Sequence, residues 1–446
     1  MLIRFSVENY KSFRDQATFS MAATKGTRHN SHVHSIKGNR LLKGSFIFGA
    51  NASGKSTFVE AMQCARDLVV RGIDVNGTGA CHFRLQQGYD EKPGVFQFDF
   101  FVGERQYSYG FALSYAKQVI VSEWLVIVGA STARYVFSRN TNEDGTITVE
   151  SDGDGLSGED KNRFGVYVRD YEDSKNIQLA QSFILTDLAK RTHADTGFFK
   201  SFGEAFKWFD TLTFIFPSTR YLGIGEFATN PVLKRKLESA LRYFDTGITA
   251  IEPKSIPLEE LDEDLKKLIG GLRPEDSYPR IFRRNKEIVH VEREADGQVT
   301  VHQLAMNHGC TEELFTSTDE SDGTVRLFDL IPLLLFEGPR IVVIDEIGRS
   351  LHSKLLVTFI ERFYEQTVEK PIQLIATTHD SNVLDLDLLR QDEIWFVERQ
   401  GDYNSRLYSL SEFKERFDKN IEREYLLGRY GAIPLFREWE CEPDDT

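Results

Sequence analysis

Cysteine is scarce in this chain: four residues in 446 (Cys64, Cys81, Cys310, Cys441), far apart and without a C-x-x-C pairing. That spacing argues against a disulfide framework or a cysteine zinc site, and a reducing cytoplasm is the expected location. Long apolar runs are also missing. None approaches the ~20 residues that a membrane-spanning helix needs, so no membrane partner is expected. The opening MLIRFSVENYKSF alternates apolar and polar residues like a strand, and it lacks the apolar block and small-residue cleavage site of a signal peptide. Positive charge is in deficit. A net charge of −14 excludes a surface that coats nucleic acid over its whole area, because phosphate neutralisation needs clustered Lys and Arg. A local basic groove stays open, and RIFRRNK (Arg280, Arg283, Arg284, Lys286) is its candidate for nucleic acid. The commoner reading of that cluster is a charged strand facing solvent. Internal repeats are absent.

What remains is ordinary for a globular protein: 41% hydrophobic and 27% charged residues, with 34 Phe to fill a core. The length allows two or three domains, or one large domain with an insertion. Residues 2–9, 17–23 and the apolar GSFIFGA (44–50) read as strands, the last of the kind buried on both faces of a sheet. A helical pattern, STFVEAMQCARDLVV, follows. Residues 95–128 read as a β-meander, and ARYVFSRNTNEDGTITVES as a hairpin turning at NEDG. Helical spacing then dominates from about 155 to 275, a mostly helical insertion. The hairpin EIVHVEREADGQVTVHQLAM returns the chain to a helix (GTVRLFDLIPLLLF), a strand (RIVVIDE), a helix (SKLLVTFIERFYEQ) and two strands (IQLIATTHD, EIWFVER). The expected division is 1–135, an N-terminal lobe; 136–299, hairpin and insertion; and 300–446, a C-terminal lobe. The acidic tail CEPDDT reads as frayed.

GANASGKST (Gly49–Thr57) fits G-x-x-x-x-G-K-[ST] and stands between a buried strand and a helix. Gly49, Asn51, Ser53, Gly54, Lys55, Ser56 and Thr57 are therefore expected to bind nucleotide. The glycines let backbone N–H groups turn inward around phosphate oxygens, and the helix N-terminus adds partial positive charge. Lys55 would bridge the β- and γ-phosphates, and Ser56 would ligate Mg²⁺. ATP and Mg²⁺ are the expected cofactors. RIVVIDE supplies two carboxylates at a strand's C-terminal end, where ligands collect in α/β sheets. Asp345 would hold the metal through water, and Glu346 would polarise the attacking water as general base. A strand ending in an acidic turn is common by itself; beside a P-loop it is specific. His379, in ATTHD, ends the next strand, where a neutral imidazole could meet the attacking water or a phosphate oxygen.

This order of motifs resembles the ABC-type ATPase heads of the SMC, Rad50 and OLD families over roughly residues 1–60 and 300–400. The resemblance implies an α/β fold, a mixed sheet with an antiparallel β subdomain, here carrying the helical insertion. It also implies a signature motif that opens a helix before the Walker B strand, here RIVVIDE, and acts on ATP held by the opposite protomer. ESDGT (Glu320–Thr324) stands there. Ser321 or Asp322 would cap the helix, Ser321 would offer its hydroxyl to the γ-phosphate, and Gly323 would permit close backbone approach. Pro332 should kink the helix. The near-twin ESDGD (Glu150–Asp154) runs into polar GLSGEDKN, with no amphipathic helix behind it, and is assigned no role.

Together with RSLH (Arg349–His352), YLLGRYGAIP (Tyr425–Pro434) and VENYKSFRD, ESDGT is similar to a narrower group. These are the ATPase subunits of bacterial phage-defence and abortive-infection operons, of the kind paired with a RloB- or TOPRIM-type nuclease. That resemblance places Ser350 and His352 in a D-loop coupling two protomers, and Lys11–Phe13 near the nucleotide base. It implies a homodimer, or a higher even-numbered assembly, that regulates a nuclease or other effector. Three alternatives stay open: an OLD-like nuclease with its own catalytic domain, a DNA-tethering or repair ATPase, and a non-catalytic scaffold. The insertion is too short, and its heptads too few, for a long coiled-coil arm. The acids of LDLDLL (Asp385, Asp387) read as a helical surface rather than a metal pair.

Overall fold

The alternation at the N-terminus forms β1 (Leu2–Glu8), which pairs antiparallel with β2 (Ala17–Ser20). The computed structural model describes residues 1–73, 78–130, 132–152, 158–172, 177–191, 197–219, 230–261, 263–271, 280–284, 287–293 and 298–434. They belong to two units: Met1–Phe214 with Pro339–Asp345 and Pro371–Thr446, and Ile215–Gly338 with Glu346–Lys370. No described helix is long and apolar enough to cross a membrane.

In the first unit, β3 (Val33–Ile36) and β4 (Asn39–Leu42) make a short antiparallel pair ahead of β5 (Gly44–Phe48), whose five residues are all buried. The meander is β6 (Gly94–Val102), β7 (Arg105–Ser114) and β8 (Val119–Val128). The hairpin is β9 (Ala133–Thr141) and β10 (Ile147–Glu150). These join β1 and β2 in a seven-stranded antiparallel sheet, ordered β10-β9-β8-β7-β6-β1-β2. Aromatic side chains fill the space behind it, with Trp208 stacked on Phe100 at 4.0 Å between ring centroids.

A buried ion pair fixes helices to that sheet. Glu123 on β8 faces Arg139 on β9 directly across the strands, and both side chains are fully buried. Glu123 accepts the Ile184 and Leu185 amides at the start of the Ile184–Arg191 helix (2.8 and 3.0 Å) and the Tyr109 hydroxyl (3.0 Å). Arg139 donates to the Leu179 and Ser182 carbonyls at 3.0 and 2.5 Å. Burial pushes the carboxyl up and the guanidinium down from their ordinary ranges, and each partner's charge opposes the shift of the other.

A second sheet carries the strand that leads into GANASGKST. The segment read as part of the helical insertion is interrupted by β11 (Leu212–Ile215), because TLTFI is rich in β-branched and aromatic residues and extends once the Lys200–Phe209 helix ends. With β17 (Arg340–Ile344), β18 (Ile372–Thr377), β19 (Ile394–Arg399) and β20 (Ser405–Ser409) it forms the six-stranded order β11-β17-β18-β5-β19-β20. β17, β18, β5 and β19 run parallel, whereas β20 is antiparallel to β19. The fold is thus α/β, with a mixed sheet beside an antiparallel one.

The second unit has its own five-stranded antiparallel sheet: β12 (Ala250–Ser255), β13 (Arg280–Arg284), β14 (Glu287–Arg293), β15 (Val299–Asn307) and β16 (Phe315–Thr316). β14 and β15 are the expected hairpin, and β12 is a strand inside the segment read as helical. Leu261, Leu265 and Ile269 pack on Val289, Val291 and Val301. The Asp322–Leu335 helix runs through Pro332, with every residue from Val325 to Leu334 buried.

Two local readings change. The Gly158–Glu172 helix does follow the first ESDG copy; only Phe164 and Tyr171 are buried, seven residues apart, too sparse to show as a helical stripe. LDLDLL is not helical. The Asp385 side chain takes the Asp387 amide at 2.8 Å, an Asx turn, while Leu384, Leu386, Leu388 and Leu389 are buried.

Candidate nucleotide site

Parallel pairing decides where the motifs stand. The P-loop follows β5, Asp345 follows β17, and Thr378 and His379 follow β18, so all leave the same edge of the first unit's sheet. The Thr378 amide donates to the Ile47 carbonyl at 3.0 Å, which ties the His379 loop to the strand that feeds the P-loop.

The loop has the conformation of an anion cradle. Ala52 (φ 59°) and Gly54 (φ 115°) are both left-handed, which turns successive amides toward one side. No side chain caps the Lys55–Arg71 helix, and its first hydrogen bond runs from the Phe58 amide to the Gly54 carbonyl. The amides of Lys55, Ser56 and Thr57 therefore precede the helical ladder and face its N-terminal end. Both glycines are required by space. A Cβ on Gly49 would lie 2.3 Å from the Val397 carbonyl oxygen; one on Gly54 would meet the Ser405 and Ser12 hydroxyls at 2.5 and 2.9 Å. Lys55 is buried, and its Nζ donates to the Gly49 and Ala50 carbonyls at 2.8 and 2.9 Å. Ser53 is 2% exposed and its Oγ has no hydrogen-bond partner, an orphan of the kind a bound phosphate would satisfy. Asn51 and Ser56 are exposed. The residues present fit the phosphates of a nucleoside triphosphate.

Asp345 is 4% exposed, and its Oδ1 accepts the Thr377 hydroxyl at 2.7 Å. This bond fixes the carboxylate at the sheet edge. His379 is exposed. Lys11 has a left-handed backbone (φ 48°) and sends its ammonium to Glu60 at 2.7 Å, on the P-loop helix. Its neighbour Ser12 lies against Gly54.

Two bracing residues were not found in the sequence. Ser405, at the start of β20, donates its hydroxyl to the Ser53 carbonyl at 2.6 Å and its amide to the Ser12 carbonyl at 2.8 Å. Thr377 is the other. A serine beginning an edge strand and a threonine ending a buried one carry no sequence signal for these roles.

This unit also has a cavity away from that edge. A cavity of about 530 Å³ lined by Ile36, Phe101, Trp208, Arg340 and Pro371 opens at the strands' opposite, N-terminal edge. It lacks a phosphate loop and a helix N-terminus.

In the second unit, Ser321 is exposed and caps the Asp322–Leu335 helix, its Oγ accepting the Thr324 amide at 3.1 Å. Glu320 takes His308 at 2.7 Å. Gly323 has no room for a side chain, since a Cβ would lie 2.8 Å from the Ser350 carbonyl oxygen. Glu346 (φ 51°) and Ser350 (φ 63°) are both left-handed, a conformation costing roughly 1–2 kcal/mol per non-glycine residue. Arg326, 5% exposed, donates to the Glu346 carbonyl at 3.0 Å. His352 caps the Ser353–Gln366 helix, its Nδ1 accepting the Lys354 amide at 3.1 Å. The first ESDG copy sits in a different setting: Asp152 takes the Tyr135 amide at 2.6 Å.

Some candidates fall outside what the structure describes. These are Lys286, the side chains of Arg280, Arg283 and Arg284, the end of the first copy (Gly153, Asp154), Cys441 and the acidic tail. Among the described residues no group of three or more His, Cys, Asp and Glu could hold a metal. A P-loop site needs fewer, since phosphates supply further oxygens.

No curated protein matches the chain. Similar solved structures include the SmcHead bound to the C-winged helix domain of ScpA, 13% identical, with TM-score 0.41, covering 93% of this chain and 99% of that one. Another is the SMC head domain from Thermotoga maritima, 12% identical, with TM-score 0.35, covering 92% and 98%. Residues 45–385 match the family described as "AAA domain, putative AbiEii toxin, Type IV TA system", and the chain belongs to that AAA ATPase family.

Proposed function

We propose that the chain binds and hydrolyses ATP, that two copies close around two nucleotides, and that closure regulates a partner effector, a nuclease, in antiphage defence. The observation that carries the ATP-binding part is the P-loop: two left-handed residues, an uncapped helix N-terminus, a buried lysine and the orphan Ser53 hydroxyl, beside Asp345 on one sheet edge. The defence role is supported by the family's description and by the resemblance of ESDGT, RSLH and YLLGRYGAIP to phage-defence ATPases.

Catalysis on this reading is positioning plus electrostatics. The loop amides and Lys55 hold the phosphates, and Lys55 gives up its carbonyl partners to do so. Ser56 and Asp345 would hold Mg²⁺, which when bound neutralises charge on the phosphate oxygens. Glu346, next in the chain after Asp345, takes the proton of the attacking water. His379 hydrogen-bonds that water or a phosphate oxygen, and Ser321 reaches the nucleotide of the opposite protomer.

The test is ATP turnover and ATP-dependent dimerisation of the purified chain, measured beside Glu346→Gln. Turnover should fall at least a hundredfold, while ATP binding persists and the dimer accumulates. Failure of wild type to turn over ATP, or to dimerise with it, would sink the proposal. Mg²⁺-dependent DNA cleavage by the chain alone would favour the OLD-like nuclease. Effector control that survives Glu346→Gln would make hydrolysis dispensable.

A further inference from the structure

The turn after Asp345 is held by the helix that begins at Ser321. Glu346 and Ser350 both have left-handed backbones without being glycine. Such turns persist only where neighbours fix them. Two contacts come from one helix. The Arg326 Nη2 donates to the Glu346 carbonyl at 3.0 Å, and its Nε reaches the Ile347 carbonyl at 3.5 Å. One turn earlier, Gly323 lies so close to the Ser350 carbonyl that a Cβ would stand 2.8 Å away. Arg326 is buried, and Asp329 approaches its Nη1 to 3.7 Å from the next turn of the helix. The Glu346 carbonyl also accepts the Arg349 amide at 3.1 Å, so both of its lone pairs are used.

This arrangement bears on two nucleotides at once. Ser321 and Gly323, at the helix start, belong to the group expected to meet ATP held by the partner copy. The proposed function assigns Glu346 to the nucleotide of its own copy. Resting on the function proposed above, we infer that Arg326 is a positioning residue. It joins the start of the Asp322–Leu335 helix to the Glu346 turn, so that nucleotide engaged in one site sets the general base of the other. Arg suits this role because its planar fork spans two successive carbonyls, which a lysine ammonium cannot do.

The experiment measures ATP turnover by wild type, Arg326→Lys and Asp329→Asn over a range of ATP concentrations. Wild type should be cooperative, with a Hill coefficient above one. Arg326→Lys should lose about tenfold in kcat at unchanged KM, and its Hill coefficient should fall to one. Asp329→Asn keeps the volume of the pair and covers the case in which Arg326→Lys does not fold; it should lose about threefold in kcat, again at unchanged KM. In a Glu346→Gln background, ATP-locked dimers should form equally with and without Arg326→Lys, because closure does not need the arginine. An unchanged kcat in a folded Arg326→Lys variant, or loss of the ATP-locked dimer, would overturn the inference. Hyperbolic wild-type turnover would overturn it while leaving the ATPase reading intact; no turnover at all would overturn both.

Discussion

Removing the Ser321 hydroxyl separates the helix cap it forms from the phosphate contact proposed for it. The Ser321 Oγ caps its helix by accepting the Thr324 amide at 3.1 Å, and the proposed function also gives it a phosphate in the opposite protomer. Ser321→Ala and Ser321→Gly remove the same hydroxyl but differ in what the cap costs. Alanine at an N-cap costs about 1 kcal/mol, whereas glycine costs only a few tenths. Ser321 has φ −64° and ψ 149°, extended geometry that either replacement adopts. A hydrogen bond to a charged group contributes roughly 1.5–3 kcal/mol, or roughly ten- to a hundredfold in rate at 1.36 kcal/mol per decade. Both variants should therefore lose ATP-dependent dimerisation and turnover to a similar degree. Only alanine should lower the unfolding midpoint measurably. Steady-state ATPase assays, light scattering with and without ATP, and a denaturant titration read all three quantities. Ser151→Ala, in the other ESDG copy, should match wild type in turnover. If Ser321→Gly retains full turnover while Ser321→Ala loses it, the serine is a cap only and the trans role is refuted.

Two further outcomes follow from the braces around the first unit. Ser405→Ala deletes the 2.6 Å bond to the Ser53 carbonyl; at about 1 kcal/mol it should weaken ATP binding about fivefold, measured by calorimetry, and unaltered affinity would argue that the P-loop needs no brace there. Glu123→Ala leaves Arg139 buried without its counter-charge and orphans the Ile184 and Leu185 amides. It should cost about 3–5 kcal/mol, seen as an earlier urea transition by circular dichroism, and an unmoved transition would contradict the network described.

The legible parts of the sequence were those whose chemistry is local. GANASGKST specifies a glycine-lined loop because its amides must turn inward within a few residues, and the structure has that conformation. Apolar blocks such as GSFIF and RIVVI could only be buried strands, and they are. The helix cap, expected at Ser321 or Asp322, was equally local: Ser321 provides it, a hydroxyl three residues before the amide it accepts. Spacing misled at two places. Gly158–Glu172 buries only Phe164 and Tyr171, and LDLDLL buries its leucines from an Asx turn rather than from a helix.

Sequence by itself determined the loop, the strand ends and the residue types at them, since each follows from backbone geometry within a dozen residues. Tertiary structure alone decided which distant groups hold them. Ser405 reaches Ser53 across 352 positions, Thr377 reaches Asp345 across 32, and Arg326 reaches the Glu346 carbonyl across 20. Those bonds depend on strand order and helix packing. A lone serine, threonine or arginine has the same letters whether it faces water or fixes a distant turn.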